Sequence, residues 1–222
     1  PVKSLKDVDR VKMPEMVGEM LFKLDQIEII ARTLGTEVPI LASCGGPFTV
    51  ATWLMGSTQL KIDLKENPEL VHAVQEKTVD SIIQHSLAQV DRGASVAIIF
   101  DWGVGYGPEP LLTLQQYQEI ALPYQQKIFS KLKKKNIPTI LWIANTRGIL
   151  DGMLKSGADL VNVDHTTNIA EAKEKAQGKT SLMGNLNPQL LFETSQTIET
   201  AVKNCIQKAA PGGAYVFSTG QR

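Results

Sequence analysis

The sequence predicts an α/β fold whose parallel strands belong to a (β/α)8 TIM barrel, and three features carry that expectation. Short apolar runs alternate with longer amphipathic segments along the chain. The apolar runs are continuous rather than alternating, as in strands buried on both faces. Polar residues stand where those runs end: Asp101, Asn145, Asp164 with His165, Asn185, and Gln221 with Arg222. Strand–helix alternation through short loops gives right-handed βαβ units, and barrels gather their chemistry at strand C-termini. An open dinucleotide-binding sheet would instead need G-x-G-x-x-G opening a helix after an early strand. The nearest approach, Gly103-Val-Gly-Tyr-Gly107, sits in a loop.

The elements follow in order. Met16, Met20, Leu21, Leu24, Ile27 and Ala31 form one stripe and predict a helix over 15–34, ended by Gly35 as a C′ glycine. A buried strand is expected over 38–43, then a turn at Cys44-Gly-Gly-Pro47 and a helix to about Met55. Asn67 as N-cap, Pro68 at N1 and Glu69 in the first turn open a long helix. Its stripe of Val71, Val74, Thr78, Ile82, Leu87 and Val90 runs until Gly93. A strand over 95–101 leads into a Gly-rich loop at 103–110 and helices over 113–135. The basic run 131–135 suits a helix C-terminus. Strands at 139–143, 159–164, 181–183 and 214–218 alternate with helices at 147–155, 168–176 and 194–209. That makes six strands where a barrel has eight.

Composition bounds the rest. With 222 residues, 43% hydrophobic and 21% charged, the chain is long enough for one domain spanning 1–222. Its 23 basic residues balance 23 acidic ones, so charge gives no argument for nucleic acid or an anionic membrane. Two cysteines, Cys44 and Cys205, make no disulfide framework, and a cytoplasmic location is expected. Cys205 reads as a core residue of its helix. No apolar stretch reaches the roughly 18 residues of a membrane span. The start PVKSLKDVDR has no signal-peptide character and no Met, so the chain is expected to begin after processing or inside a longer protein.

Several segments, in this order and at these spacings, carry a resemblance. They are Pro39-Ile-Leu-Ala-Ser-Cys-Gly-Gly-Pro-Phe-Thr-Val50, Leu54-Met-Gly56, Ala121-Leu-Pro-Tyr124, Gly157-Ala-Asp159, Gly184-Asn-Leu-Asn-Pro188 and Phe217-Ser-Thr-Gly220. Over residues 36–222 the chain resembles the uroporphyrinogen decarboxylase / methylcobamide:coenzyme M methyltransferase superfamily. The resemblance implies that the six strands are strands three to eight, with strands one and two upstream of Pro1. It leaves two open sheet edges, to be completed by a missing N-terminal segment, by helix 15–34 or by a partner chain, including a homo-oligomer.

Two activities come with the resemblance: methyl transfer between a corrinoid and an acceptor, often through a zinc-bound thiolate, and cofactor-free decarboxylation of uroporphyrinogen. The zinc motif's His-x-Cys falls on Trp142 and Ala144, and its last Cys falls on Gln221. None of these replaces the ligands, so zinc is not expected; Cys44 and His165 are the remaining soft ligands. The decarboxylase's decisive carboxylate and arginines belong to strands one and two. Its Gly-His-Gly-like turn is replaced by Thr219-Gly-Gln-Arg222.

The expected catalytic residues are therefore Asp101, Asp164 and Tyr124. The binding residues are Gly103, Gly105, Trp142, Asn145, His165, Asn185 and Gln221, and no metal is expected. The loop glycines would let a flat ligand approach the backbone. Beside these stand plainer readings: Asp101 bonding loop amides, Tyr124 packing its ring, Asn185 and Asn187 forming a turn. The leading expectation is a methyltransferase-like protein working with a corrinoid held on a partner protein. The alternatives are a tetrapyrrole decarboxylase and a non-catalytic tetrapyrrole- or partner-binding relative.

Overall fold

The computed structural model describes residues 1–105 and 111–220. The chain falls into two compact units, Pro1–Asp101 with Pro123–Thr139, and Trp102–Leu122 with Ile140–Arg222. Both are α/β, with parallel strands flanked by helices.

The first unit contains α1 (Leu5–Arg10), α2 (Glu19–Leu34), β1 (Leu41–Gly45), α3 (Pro47–Met55), α4 (Ser57–Glu66), α5 (Pro68–Asp91), β2 (Val96–Phe100) and, from Pro123 on, α6 (Leu122–Lys133). β1 and β2 pair in parallel from Leu41↔Val96 to Gly45↔Phe100. Ala97 N donates to Pro138 O at 2.9 Å. The core sits where α5 packs on α3: Leu70, Val71 and Val74 meet a layer containing Phe48, Ala51 and Met55, all 2% exposed or less. The N-terminus is tied down by Val2 N donating to Leu54 O at 2.8 Å.

The second unit contains β3 (Thr139–Trp142, its first residue counted with the first unit), α7 (Leu150–Met153), β4 (Leu160–Asn162), α8 (Ile169–Ala176), β5 (Ser181–Leu186), α9 (Ser195–Ala209) and β6 (Tyr215–Thr219). A helical turn at Leu114–Gln116 runs into a π turn at Tyr117–Ala121. β3 pairs with β4, β4 with β5 and β5 with β6, each in parallel. Side-chain caps start α8 and α9: Asn168 accepts from Ala170 N and Thr194 from Thr197 N.

Several expectations are corrected. α2 starts at Glu19 rather than 15, because Gly18 at φ 58° breaks the turn, and Met16 stays outside. α1 and α4 have no counterpart in the sequence reading; α4, STQLKIDLKE, carries too short and too polar a stripe to stand out. β1 is shifted forward: its ladder with β2 continues through Cys44 and Gly45, so these are strand rather than turn, while Val38 is 47% exposed. On α5, Leu87 and Val90 are only half-buried, and the polar Ser86 and Gln89 are buried in their place. Asn67 and Pro68 do occupy N-cap and N1, without a side-chain bond from Asn67. The expected helix 147–155 is a 3-10 turn, Thr146–Gly148, followed by the short α7. Cys205 is half-buried rather than core.

Candidate functional site

In the first unit the polar centre is Asp101, just past the end of β2 and 0% exposed. Its Oδ1 accepts from Thr49 N at 2.8 Å and its Oδ2 from Gln125 Nε2 at 2.7 Å. Thr49 lies in the first turn of α3, so the carboxylate meets the unsatisfied amides of that helix start, where negative charge is favoured. Burial pushes the Asp101 carboxyl above its ordinary value; the bonds from Gln125 and Thr49 pull down and do not cancel it. Space is closed as well. A Cβ at Gly46 would lie 2.4 Å from Asp101 Cγ. This acid joins the end of β2 to α3 and α6, and both of its oxygens are engaged.

Tyr124 does not join that cluster. Its hydroxyl is 2.8 Å from His72 Nδ1 on α5, and Lys127 Nζ lies 5.3 Å from its ring centroid. Burial, then the charge of Glu76, raise the phenol's pKa. Neighbouring side chains of α6 thus diverge: Gln125 reaches the buried acid, Tyr124 reaches the outer face of α5.

In the second unit the strand-end residues come together. Asp164, two residues past β4 and 3% exposed, accepts from Thr146 N at 3.1 Å, Thr166 N at 3.1 Å, Thr166 Oγ1 at 2.8 Å and Thr167 Oγ1 at 3.2 Å. Asn185 of β5 donates from Nδ2 to Asp164 O at 2.9 Å and to Thr167 O at 2.6 Å. Asn185 is therefore a strand residue pinning the loop after β4, not a turn former; Asn187 takes the turn role by accepting from Gln189 N at 3.0 Å. Cys205 Sγ lies 3.5 Å from Asn185 Oδ1. Tyr215 donates to Gly184 O, and burial followed by the nearby Cys205 pushes its phenol up to about 12.

Beside this network lies a cavity of about 370 Å³ lined by His165, Asn185, Asn187, Asn204, Cys205 and Lys208 among others. None of its lining residues is acidic. His165 Nδ1 is buried there with no partner among the described residues. The amides of Asn187 and Asn204, an imidazole and an ammonium around a concave space form a set suited to a carboxylate, while both N–H groups of Asn185 are already given to Asp164 O and Thr167 O.

The glycine-rich loop is described up to Gly105. Gly103 belongs to a 3-10 turn, Trp102–Val104. A Cβ at Gly105 would lie 1.8 Å from Ala144 O, so the loop touches the backbone after β3 closely enough to require glycine. Asn145, in the left-handed region at φ 51°, donates from Nδ2 to Gly105 O at 3.3 Å. Trp142 ends β3 half-buried and Ala144 is 8% exposed, so the two substituted zinc-ligand positions are an indole and a methyl. Among the described residues no three His, Cys, Asp or Glu side chains are grouped to hold a metal ion. Cys44 and His165 lie in different units. Gln221 and Arg222 lie outside the described residues.

Sequence reasoning missed Gln125, the threonines around Asp164, and Lys208 with Asn204. A polar residue on a helix reads as solvent-facing until its partner is known; only the Thr146-Thr166-Thr167 flank of two strand ends offered a signal.

The chain matches the sequence profile described as uroporphyrinogen decarboxylase (URO-D) over residues 1–221. It is 30% identical to uroporphyrinogen decarboxylase of Hydrogenovibrio crunogenus and 32% identical to that of Vibrio cholerae, in each case over 99% of this chain and 64% of the relative. The chain thus spans 64% of the length of these curated relatives. Among solved structures, a methyltransferase from Methanosarcina mazei superposes with a TM-score of 0.84 at 23% identity, covering 97% of this chain and 64% of that one. That likeness shows the fold, an α/β arrangement consistent with part of a (β/α)8 barrel. On the strength of the profile match along almost its whole length, this chain belongs to the uroporphyrinogen decarboxylase family.

Proposed function

We propose that the chain forms part of a tetrapyrrole-handling protein of the decarboxylase type, and that its second unit receives a carboxylate arm of an acidic tetrapyrrole. The observation that carries this reading is the cavity holding His165 Nδ1, Asn187, Asn204 and Lys208 with no acidic residue on its wall. At about 370 Å³ it suits one side arm rather than a whole macrocycle. The names of the curated relatives support the substrate class. In this reading Asp101 and Asp164 order the strand ends, Asp101 through α3 and α6, Asp164 through its threonines. Gly105 lets the loop pack against the chain after β3, and the tetrapyrrole needs no zinc.

Methyl transfer with a corrinoid protein is the second reading. The indole and methyl at Trp142 and Ala144 count against its zinc-thiolate form, and the shared fold with the Methanosarcina mazei methyltransferase leaves a zinc-free form open.

An absorbance titration with coproporphyrin and, in parallel, methylcobalamin separates the two. Saturable binding of the porphyrin, weakened about tenfold by Lys208→Met, is the expected result; one charge-assisted hydrogen bond carries roughly 1.5–3 kcal/mol. Preference for methylcobalamin would move the chain to methyl transfer. Binding of neither by folded protein would defeat both.

A further inference from the structure

The first unit holds a larger cavity, about 450 Å³, between the N-terminal helices, β1 and α5. Met20, Val50, Trp53 and Ile82 give it an apolar wall, and the Trp53 indole is 60% exposed. Lys12, Lys23 and His85 also line it, and none of its lining residues is acidic. An apolar concavity of several hundred Å³ with a few convergent polar groups has the form of a small-molecule site.

The polar groups say what the molecule carries. His85 Nδ1 is buried without a partner among the described residues, and an unmet buried polar atom is costly. Burial first, and Lys23 second, hold the imidazole below its ordinary value, so the ring is neutral and its tautomer is free to suit a ligand. Lys23 Nζ donates to Ser43 O at 2.9 Å, which uses one of the ammonium's three donors. Cys44, also on the wall, is a poor nucleophile: it is 6% exposed, its sulfur accepts from Ser86 Oγ and Gln89 Nε2, both at 3.2 Å, and burial raises its pKa. The site therefore binds rather than reacts.

We propose that this cavity binds a small amphipathic monocarboxylate, its carboxylate on Lys23, Lys12 and His85 and its apolar body along Met20, Val50, Trp53 and Ile82. The cations and the orphaned imidazole supply donors to the anion, and the apolar wall removes the tail from water. The site shares no residue with the cavity in the second unit, so it stands independently of the tetrapyrrole reading.

The test is a titration of the full chain with octanoate, followed by tryptophan fluorescence and by calorimetry, with octan-1-ol as the neutral counterpart. Saturable octanoate binding is expected, with octan-1-ol at least tenfold weaker. Lys23→Met should raise the octanoate Kd about tenfold with far-UV circular dichroism unchanged. His85→Phe, which fills the space and removes the imidazole, should do the same and serves if Lys23→Met fails to fold. Trp53→Phe should abolish the fluorescence change while calorimetric binding persists. Equal affinity for acid and alcohol, unchanged affinity in folded Lys23→Met, or no saturable octanoate binding would each overturn the proposal. Octanoate binding without coproporphyrin binding would uphold it and sink the tetrapyrrole reading alone.

Discussion

At Asp101 a carboxylate is held without solvent contact between Thr49 N and Gln125 Nε2, and two opposing effects meet there. Hydrogen bonds favour the charged form, desolvation disfavours it, and desolvation wins. The folded-state pKa therefore lies above the unfolded 3.8. A raised carboxyl pKa makes the folded state the tighter proton binder, so its favourable contribution is complete below the unfolded pKa and is lost as pH rises through the folded one. Asp101→Asn removes that titration. Urea unfolding at pH 4.5 and pH 8 should show wild type gaining on the Asn variant at the lower pH; a gap that is the same at both would contradict the desolvation argument. Gly105 makes a steric prediction of the same scale. Gly105→Ala puts a methyl 1.8 Å from Ala144 O, a backbone atom that cannot swing aside, so a loss of about 1–3 kcal/mol or more is expected in the same assay.

Among the elements, α5 and β1 are joined by a side chain that imitates a strand. Gln89 Oε1 accepts from Ser43 N at 2.9 Å and Gln89 Nε2 approaches Ser43 O at 3.3 Å, as a neighbouring backbone would. Gln89→Leu keeps the volume and strips both bonds from a fully buried position, so it should cost about 1–3 kcal/mol in unfolding free energy. An isostable Leu variant would contradict a net contribution of these bonds to stability. This contact also marks where the sequence was legible. Apolar stripes with local signals placed α5 and the C-terminal end of α2, because periodicity, Pro68 and Gly35 act within a few residues. Gln89 and Ser86 could not be read, since a polar residue on a helix is buried only when a partner distant in sequence satisfies it. The position of β1 slipped for a related reason: Cys44-Gly45 is a turn by composition and a strand by its pairing with Ile99 and Phe100. Likewise, at the candidate sites Asp164, His165 and Asn185 are visible as strand-end residues, while Gln125 and Lys208 are visible only through the fold.

For the molecule as a whole, charge and apolar exposure act together. Net charge is zero by 23 against 23, and the sequence pI is about 7.3, so little long-range repulsion separates copies at neutral pH. At the same time α2 turns Phe22 and Ile29, spaced seven residues apart and 63% and 65% exposed, to one side of its helix, with Ile30 at 44%. A clustered apolar face of this kind drives association once electrostatic repulsion is removed. Dynamic light scattering should therefore show concentration-dependent association near pH 7.3 that recedes as pH moves two units away. Phe22→Lys with Ile29→Lys should reduce it twice over, by removing apolar area and by adding two positive charges. Both side chains face water, so the helical signal and the unfolding midpoint should stay near wild type. If the double variant associates as strongly as wild type, the α2 face is not the contact. The next surface to change would then be β6, where Val216 and Phe217 are 46% and 39% exposed.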